Sequence, residues 1–165
     1  MDEKQAFGTM WSMGFGNMND ALFGKEEDPR PRVRAIRSDW ETHRMPRRSK
    51  SHIRAEIPLT DEEFESLAWG HIPQQMEDHW FMYFDGESFN FHRSWTGFCI
   101  YRMHVKRADV GYLIRCVTAN RRKDQYSMTD DEADRIMAEI LIAQALGKDA
   151  DDLWERYFET FDQAE

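Results

Sequence analysis

The stretch WFMYFDGESFNFHR, residues 80–93, constrains the fold more than any other part of the chain. Two alternating runs rich in aromatic residues flank Asp85-Gly86, a dipeptide suited to the left-handed backbone of a tight hairpin turn. With Asp85 and Gly86 as the two central residues, Phe84 pairs with Glu87, Trp80 with Phe91 and His79 with His92. Side chains alternate across a strand, so Trp80, Met82, Phe84, Phe89 and Phe91 form a core face. His79, Phe81, Tyr83, Ser88, Asn90 and His92 form the mixed face opposite.

A second hairpin follows in FCIYRMHVKRADVGYLIRCVTAN, turning around Ala108 to Gly111. A four-residue loop there pairs His104 with Arg115 and Met103 with Cys116. Cys99, Tyr101, Met103, Val105, Ile114 and Cys116 then face the core, and Arg102, His104 and Arg115 face away. Ahead of the hairpins, IRAEIP alternates like a short strand. LTDEEFESLAWG reads as a helix with Thr60 and Glu63 as its capping box and Gly70 as its stop. Two helices close the chain. Thr129 and Glu132 offer a capping box to the first, whose stripe of Ala133, Ile136, Met137, Ile140 and Leu141 runs to Gly147. Leu153, Trp154, Tyr157, Phe158 and Phe161 repeat the spacing in the second. Such stripes beside a strand-rich segment cover a sheet.

The expected fold is therefore α+β, a small antiparallel sheet of four or five strands packed against two C-terminal helices and preceded by an irregular basic N-terminal arm. Order is expected from Ile53, with residues 1–52 as a flexible arm and 53–165 as one domain that folds without the first fifty residues. Residues 1–28 are rich in Gly, Met and Asn and suit a sticky docking peptide. Pro29, Pro31 and Pro46 then interrupt any long helix. The total charge is −9, yet residues 29–54 hold nine Lys/Arg against two acids, so the rest is strongly acidic. A basic run of this kind can bind nucleic acid through phosphates. No nucleic-acid motif accompanies it, and the preferred reading lays the arm on the acidic body or leaves it a solvated linker, with attraction to a partner as a further option.

No run approaches the roughly 18 apolar residues that span a bilayer, and the first ten residues lack a signal-peptide layout. Cys99 and Cys116 form neither a disulfide framework nor a Cys-x-x-Cys motif. A cytoplasmic protein with no membrane partner is expected. The GFG near the start does not sit between a strand and a helix, as a dinucleotide loop would.

The chemistry-bearing residues gather in and around the connection between the hairpins. His92, Arg93, Ser94, Trp95 and Thr96 combine charge, hydroxyls and a flat indole, a set that can hold an anionic or aromatic ligand. Outward-facing Arg102, His104 and Arg115 extend it. For the connection a bland reading has equal standing, in which Trp95 plugs the end of the sheet and Ser94 and Thr96 satisfy turn backbone. For the sheet face the bland reading, with the Arg and His side chains solvated or stacked, is preferred. His79 and His92 with adjacent Asp78 fall short of a metal set, and no metal or cofactor is expected. No acid–base dyad or Ser-His-Asp set has usable spacing, so the sequence assigns no reaction. Two functions follow: binding of an anionic or nucleotide-like small molecule, or a protein interaction module that modulates a partner through the arm and exposed aromatic residues.

Residues 69–73 (WGHIP), 76–81 (MEDHWF) and 92–97 (HRSWTG) resemble the signature of a largely uncharacterised bacterial family of small proteins and appended domains. The likeness covers about half of the chain. It points to Glu77, Asp78, His92, Arg93, Trp95 and Thr96 as residues to test first, and it implies a ligand related to ADP-ribose or NAD.

Overall fold

A computed structural model describes residues 33–162. The proposed docking peptide and the first two prolines of the arm lie outside the described residues. Five strands, β1 (Lys50–Leu59), β2 (Trp80–Phe84), β3 (Ser88–Arg93), β4 (Cys99–Arg107) and β5 (Tyr112–Asn120), form one antiparallel sheet in the order β1-β5-β4-β3-β2. Helix α1 (Asp61–Ala68) links β1 to β2, and α2 (Asp131–Ala145) and α3 (Asp151–Asp162) close the chain. The α+β architecture with two C-terminal helices matches the expectation. Among the described residues no helix is long and apolar enough to cross a membrane.

The first hairpin turns one residue later than expected. The Asp85 carboxylate accepts from the backbone N–H groups of Glu87 at 2.9 Å and Ser88 at 2.7 Å, and Asp85 N–H donates to Ser88 O. Gly86, at φ +98°, and Glu87 thus become the central pair. Phe84 pairs with Phe89 and Trp80 with Arg93, a shift of two residues. An even shift leaves every side chain on its predicted face. It does separate His79 from His92: His79 O accepts from Ser94 N–H, and His92 lies opposite Phe81.

The second hairpin has the expected loop, with Arg107 opposite Tyr112, but two irregularities alter its faces. Phe91 pairs with Tyr101 and His92 with Cys99, so Ile100 is the extra residue and points into the core. Cys99 is buried on the other side. On β5, Arg115 is the extra residue, so His104 faces Cys116 rather than Arg115 and Val117 replaces Cys116 in the core. Neither cysteine belongs to the helix-side core assigned to it from sequence.

The helices cover one face only. α1 has the predicted Thr60–Glu63 capping box, and its Phe64 ring stacks on Tyr112 at 3.8 Å. α2 starts one residue later than expected, because Asp130 accepts from Glu132 and Ala133 N–H and displaces Thr129 as cap. Its predicted stripe is buried throughout. Of the α3 aromatic residues, Tyr157 is fully buried and Trp154, Phe158 and Phe161 pack partly against the core. Asp134 ties α2 to the sheet: Tyr101 and Tyr126 hydroxyls donate to it at 2.5 and 2.6 Å, and Arg121 pairs with it at 2.5 Å.

The other face is covered over β2 and β3 by residues 33–49, so the expected boundary before Ile53 falls too late. Ala35 N–H donates to Trp69 O. Trp40 stacks on Phe81, and its indole N–H donates to Ser94 O at 3.0 Å. His43 N–H donates to Gly97 O at 2.8 Å. At Gly97, φ +73°, a Cβ would lie 2.2 Å from Glu41 O, so only glycine allows this approach. Charge attraction was the expected reason for the arm to lie on the body. Backbone bonds and one stacked indole hold it instead; among the described residues its only ion pair to the body is Arg34–Glu65, at 3.6 Å.

Candidate anion-binding cleft

Between this strap and the sheet lies a cleft of about 670 Å³. Tyr83, Asn90, His92, Cys99 and Arg102 form its floor. They share it because the alternation of β2, β3 and β4, with the extra residue at Ile100, turns all five away from the helices. Arg37, His43, Arg44, Arg47 and Lys50 come from the strap and the start of β1.

The floor is electrically balanced. Arg102 donates through Nε to Asn90 Oδ1 at 3.1 Å and lies 3.5 Å from the Asp85 carboxylate, which also accepts from Asn90 Nδ2. Partial burial would raise the Asp85 pKa, but the Glu87 and Ser88 N–H groups, Asn90 and Arg102 outweigh it and hold the group below its ordinary value. The wall is not balanced: Arg37, Arg44, Arg47 and Lys50 have no acidic partner within ion-pair distance among the described residues.

His92 is the most buried titratable base in the cleft, at 3% exposure. Its Nδ1 lies 2.9 Å from Gly97 O, which can only accept, so the neutral ring carries its proton there. Burial depresses its pKa against that hydrogen bond, and the charges of Arg37, His43 and Arg102 depress it further. Its Nε2 is thus a lone-pair acceptor. Stacking on Tyr83, with centroids 5.8 Å apart, fixes the ring plane. Cys99 beside it is pushed up to about 12 by burial and stays a thiol, which removes it as a nucleophile at neutral pH.

Of the eight residues selected from sequence, His92 and Arg102 reach the cleft. Arg93 lies on the helix side, its guanidinium 4.6 Å above the Trp80 ring. Ser94 contributes backbone bonds to His79 and Trp40. Trp95 is exposed and donates to Met76 O at 3.1 Å, and Thr96 Oγ1 accepts from Phe98 N–H. His104 has both ring nitrogens engaged, with Ser88 at 2.8 Å and Thr118 at 3.4 Å, and Arg115 is exposed on β5. Asp78 organises its own loop by accepting from Gln74 and Gln75 N–H and pairing with buried His71 at 3.4 Å. Glu77 is exposed. The HRSWTG connection therefore joins strap to sheet, and only its histidine faces the cleft. The strap cations, His43, Tyr83 and Asn90 escaped the sequence reading as site residues, although the basic run containing five of them was its clearest charge signal.

Among the described residues no group of three or more His, Cys, Asp or Glu is placed to hold a metal ion. No family model, curated protein or solved structure matches the chain. The functional reading rests on the cleft.

Proposed function

We propose that this chain binds a small anionic ligand in the cleft between the strap and the outer sheet face. One observation carries the reading: four cations, Arg37, Arg44, Arg47 and Lys50, line a concave site without acidic partners among the described residues. Holding like charges together is unfavourable, and an anion relieves it. The volume suits a small molecule, and the aromatic floor suits a nucleotide-like one. A ligand of the ADP-ribose or NAD kind, as the family resemblance implies, is compatible with that chemistry. Free cysteines accord with a cytoplasmic location.

The alternative, a protein interaction module, draws on one feature: Trp95 and Met76 are each 72% exposed and joined by a hydrogen bond. The cleft reading is tested by thermal unfolding in sulfate, pyrophosphate and a neutral osmolyte. A bound anion at about 100 times its dissociation constant adds about 2.7 kcal/mol. Stabilisation by both anions beyond the osmolyte is expected. Equal response to all three, with Trp95→Ala abolishing capture of a partner, would transfer the function to the exposed patch.

A further inference from the structure

We infer that the ligand is an organic phosphate bearing a hydroxyl near its phosphate, with the hydroxyl donating to His92 Nε2 and the strap cations taking the phosphate. This rests on the anion-binding reading. The four cations of the wall offer only donors: the guanidinium and ammonium groups of Arg37, Arg44, Arg47 and Lys50 cannot accept. The floor offers acceptors. His92 has its Nδ1 committed to Gly97 O, its ring plane held by Tyr83, and no hydrogen-bond partner at Nε2 among the described residues. The Asp85 carboxylate lines the same floor, but the Glu87 and Ser88 N–H groups, Asn90 and Arg102 already engage it.

A ligand made only of acceptor oxygens satisfies the wall and leaves the imidazole lone pair facing negative charge. A buried acceptor left without a donor is unfavourable, so a ligand that brings a hydroxyl gains where a bare anion does not. His92 is thus the residue that separates hydroxylated phosphates from simple ones. It positions the ligand; nothing in the cleft assigns it a reaction.

The test is calorimetric titration of the full chain at neutral pH with methyl phosphate, glucose 6-phosphate and AMP. The last two separate a sugar phosphate from a nucleoside phosphate as the source of the same chemistry. At least one should bind about tenfold or more tightly than methyl phosphate, the worth of one hydrogen bond. His92→Phe should erase that preference, so that the hydroxylated phosphates bind no more tightly than methyl phosphate, and His92→Gln, which keeps an acceptor, should retain part of it. Equal affinities in the wild type would overturn the inference and leave anion binding standing, a result that needs no variant to fold. A preference that survives His92→Phe would overturn the role of His92. Failure of all three ligands to bind would sink the anion-binding reading itself.

Discussion

On the helix side of the sheet, Asp134 receives two tyrosine hydroxyls and the Arg121 guanidinium. On the opposite side, Arg37, Arg44, Arg47 and Lys50 surround open space with no acid beside them among the described residues. Both regions gather charge from distant parts of the chain. The inner one is closed: burial raises the Asp134 pKa, its hydrogen bonds and Arg121 oppose that, and the group joins α2 to β4. The outer one is open, because a strap held by Trp40 and Gly97 brings cations over a floor whose single carboxylate is already engaged. Satisfied charge here is a structural joint, and the unsatisfied charge is where the proposed ligand would sit.

Breaking the inner joint should have the largest effect. Asp134→Ala removes the buried carboxylate that Arg121 and two tyrosine hydroxyls share, leaving Arg121 with Asp131 as its one carboxylate among the described residues and the hydroxyls only each other, and should cost about 3 kcal/mol in denaturant unfolding. Arg47→Ala in the cleft should stay within about 0.5 kcal/mol. Comparable losses at the two sites would erase the distinction between them. The strap is next: Trp40→Ala removes the stack on Phe81 and the bond to Ser94 O, and should cost about 2 kcal/mol, below the value for a fully buried indole. If it changes anion affinity but not stability, the strap is not part of the folded body.

Much of this architecture was legible in the sequence because alternation along β2 and β3 survives an even register shift. The irregularities were not. Cys99 and Ile100 are both apolar, as are Cys116 and Val117, so a one-residue insertion leaves no mark in the pattern while moving a thiol from one face to the other. The strap was illegible for a different reason. Residues 33–49 have no periodicity, and their attachment depends on backbone groups, one indole and the missing Cβ of Gly97. The basic run was visible as charge, but its position over the outer face follows from those attachments. Arg93 was misplaced in function because HRSWTG reads as one cluster, whereas alternation sends Arg93 and His92 to opposite sides.

Acid should lower stability through four histidines. His71, His79, His92 and His104 all have folded pKa values below the ordinary 6.5, with burial the first cause in each. The unfolded chain therefore binds protons first as pH drops. Stability is fully present above about pH 6.5 and is lost below it, through the depressed folded values, by up to about 1.4 kcal/mol per pH unit for each buried histidine that stays neutral. His79 and His104, half-buried, contribute less. Unfolding free energies that stay flat from pH 7 to pH 5 would contradict the neutral assignment of His92.

Arg93→Lys should give a smaller change than the joint or the strap. Loss of the planar contact with Trp80 should cost about 1 kcal/mol and leave anion affinity unchanged, since this side chain lies on the helix side. Weakened anion binding with unchanged melting would restore the ligand role that the sequence suggests.

The most direct measurement is calorimetric titration of pyrophosphate into the wild type and an Arg44→Gln/Arg47→Gln/Lys50→Gln variant at low salt. The wild type should bind, and the variant should melt within a few degrees of it while binding at least about tenfold more weakly, as expected for lost charge-assisted contacts. Equal affinity in the two proteins, or no binding by the folded wild type, would contradict an anion site in the cleft.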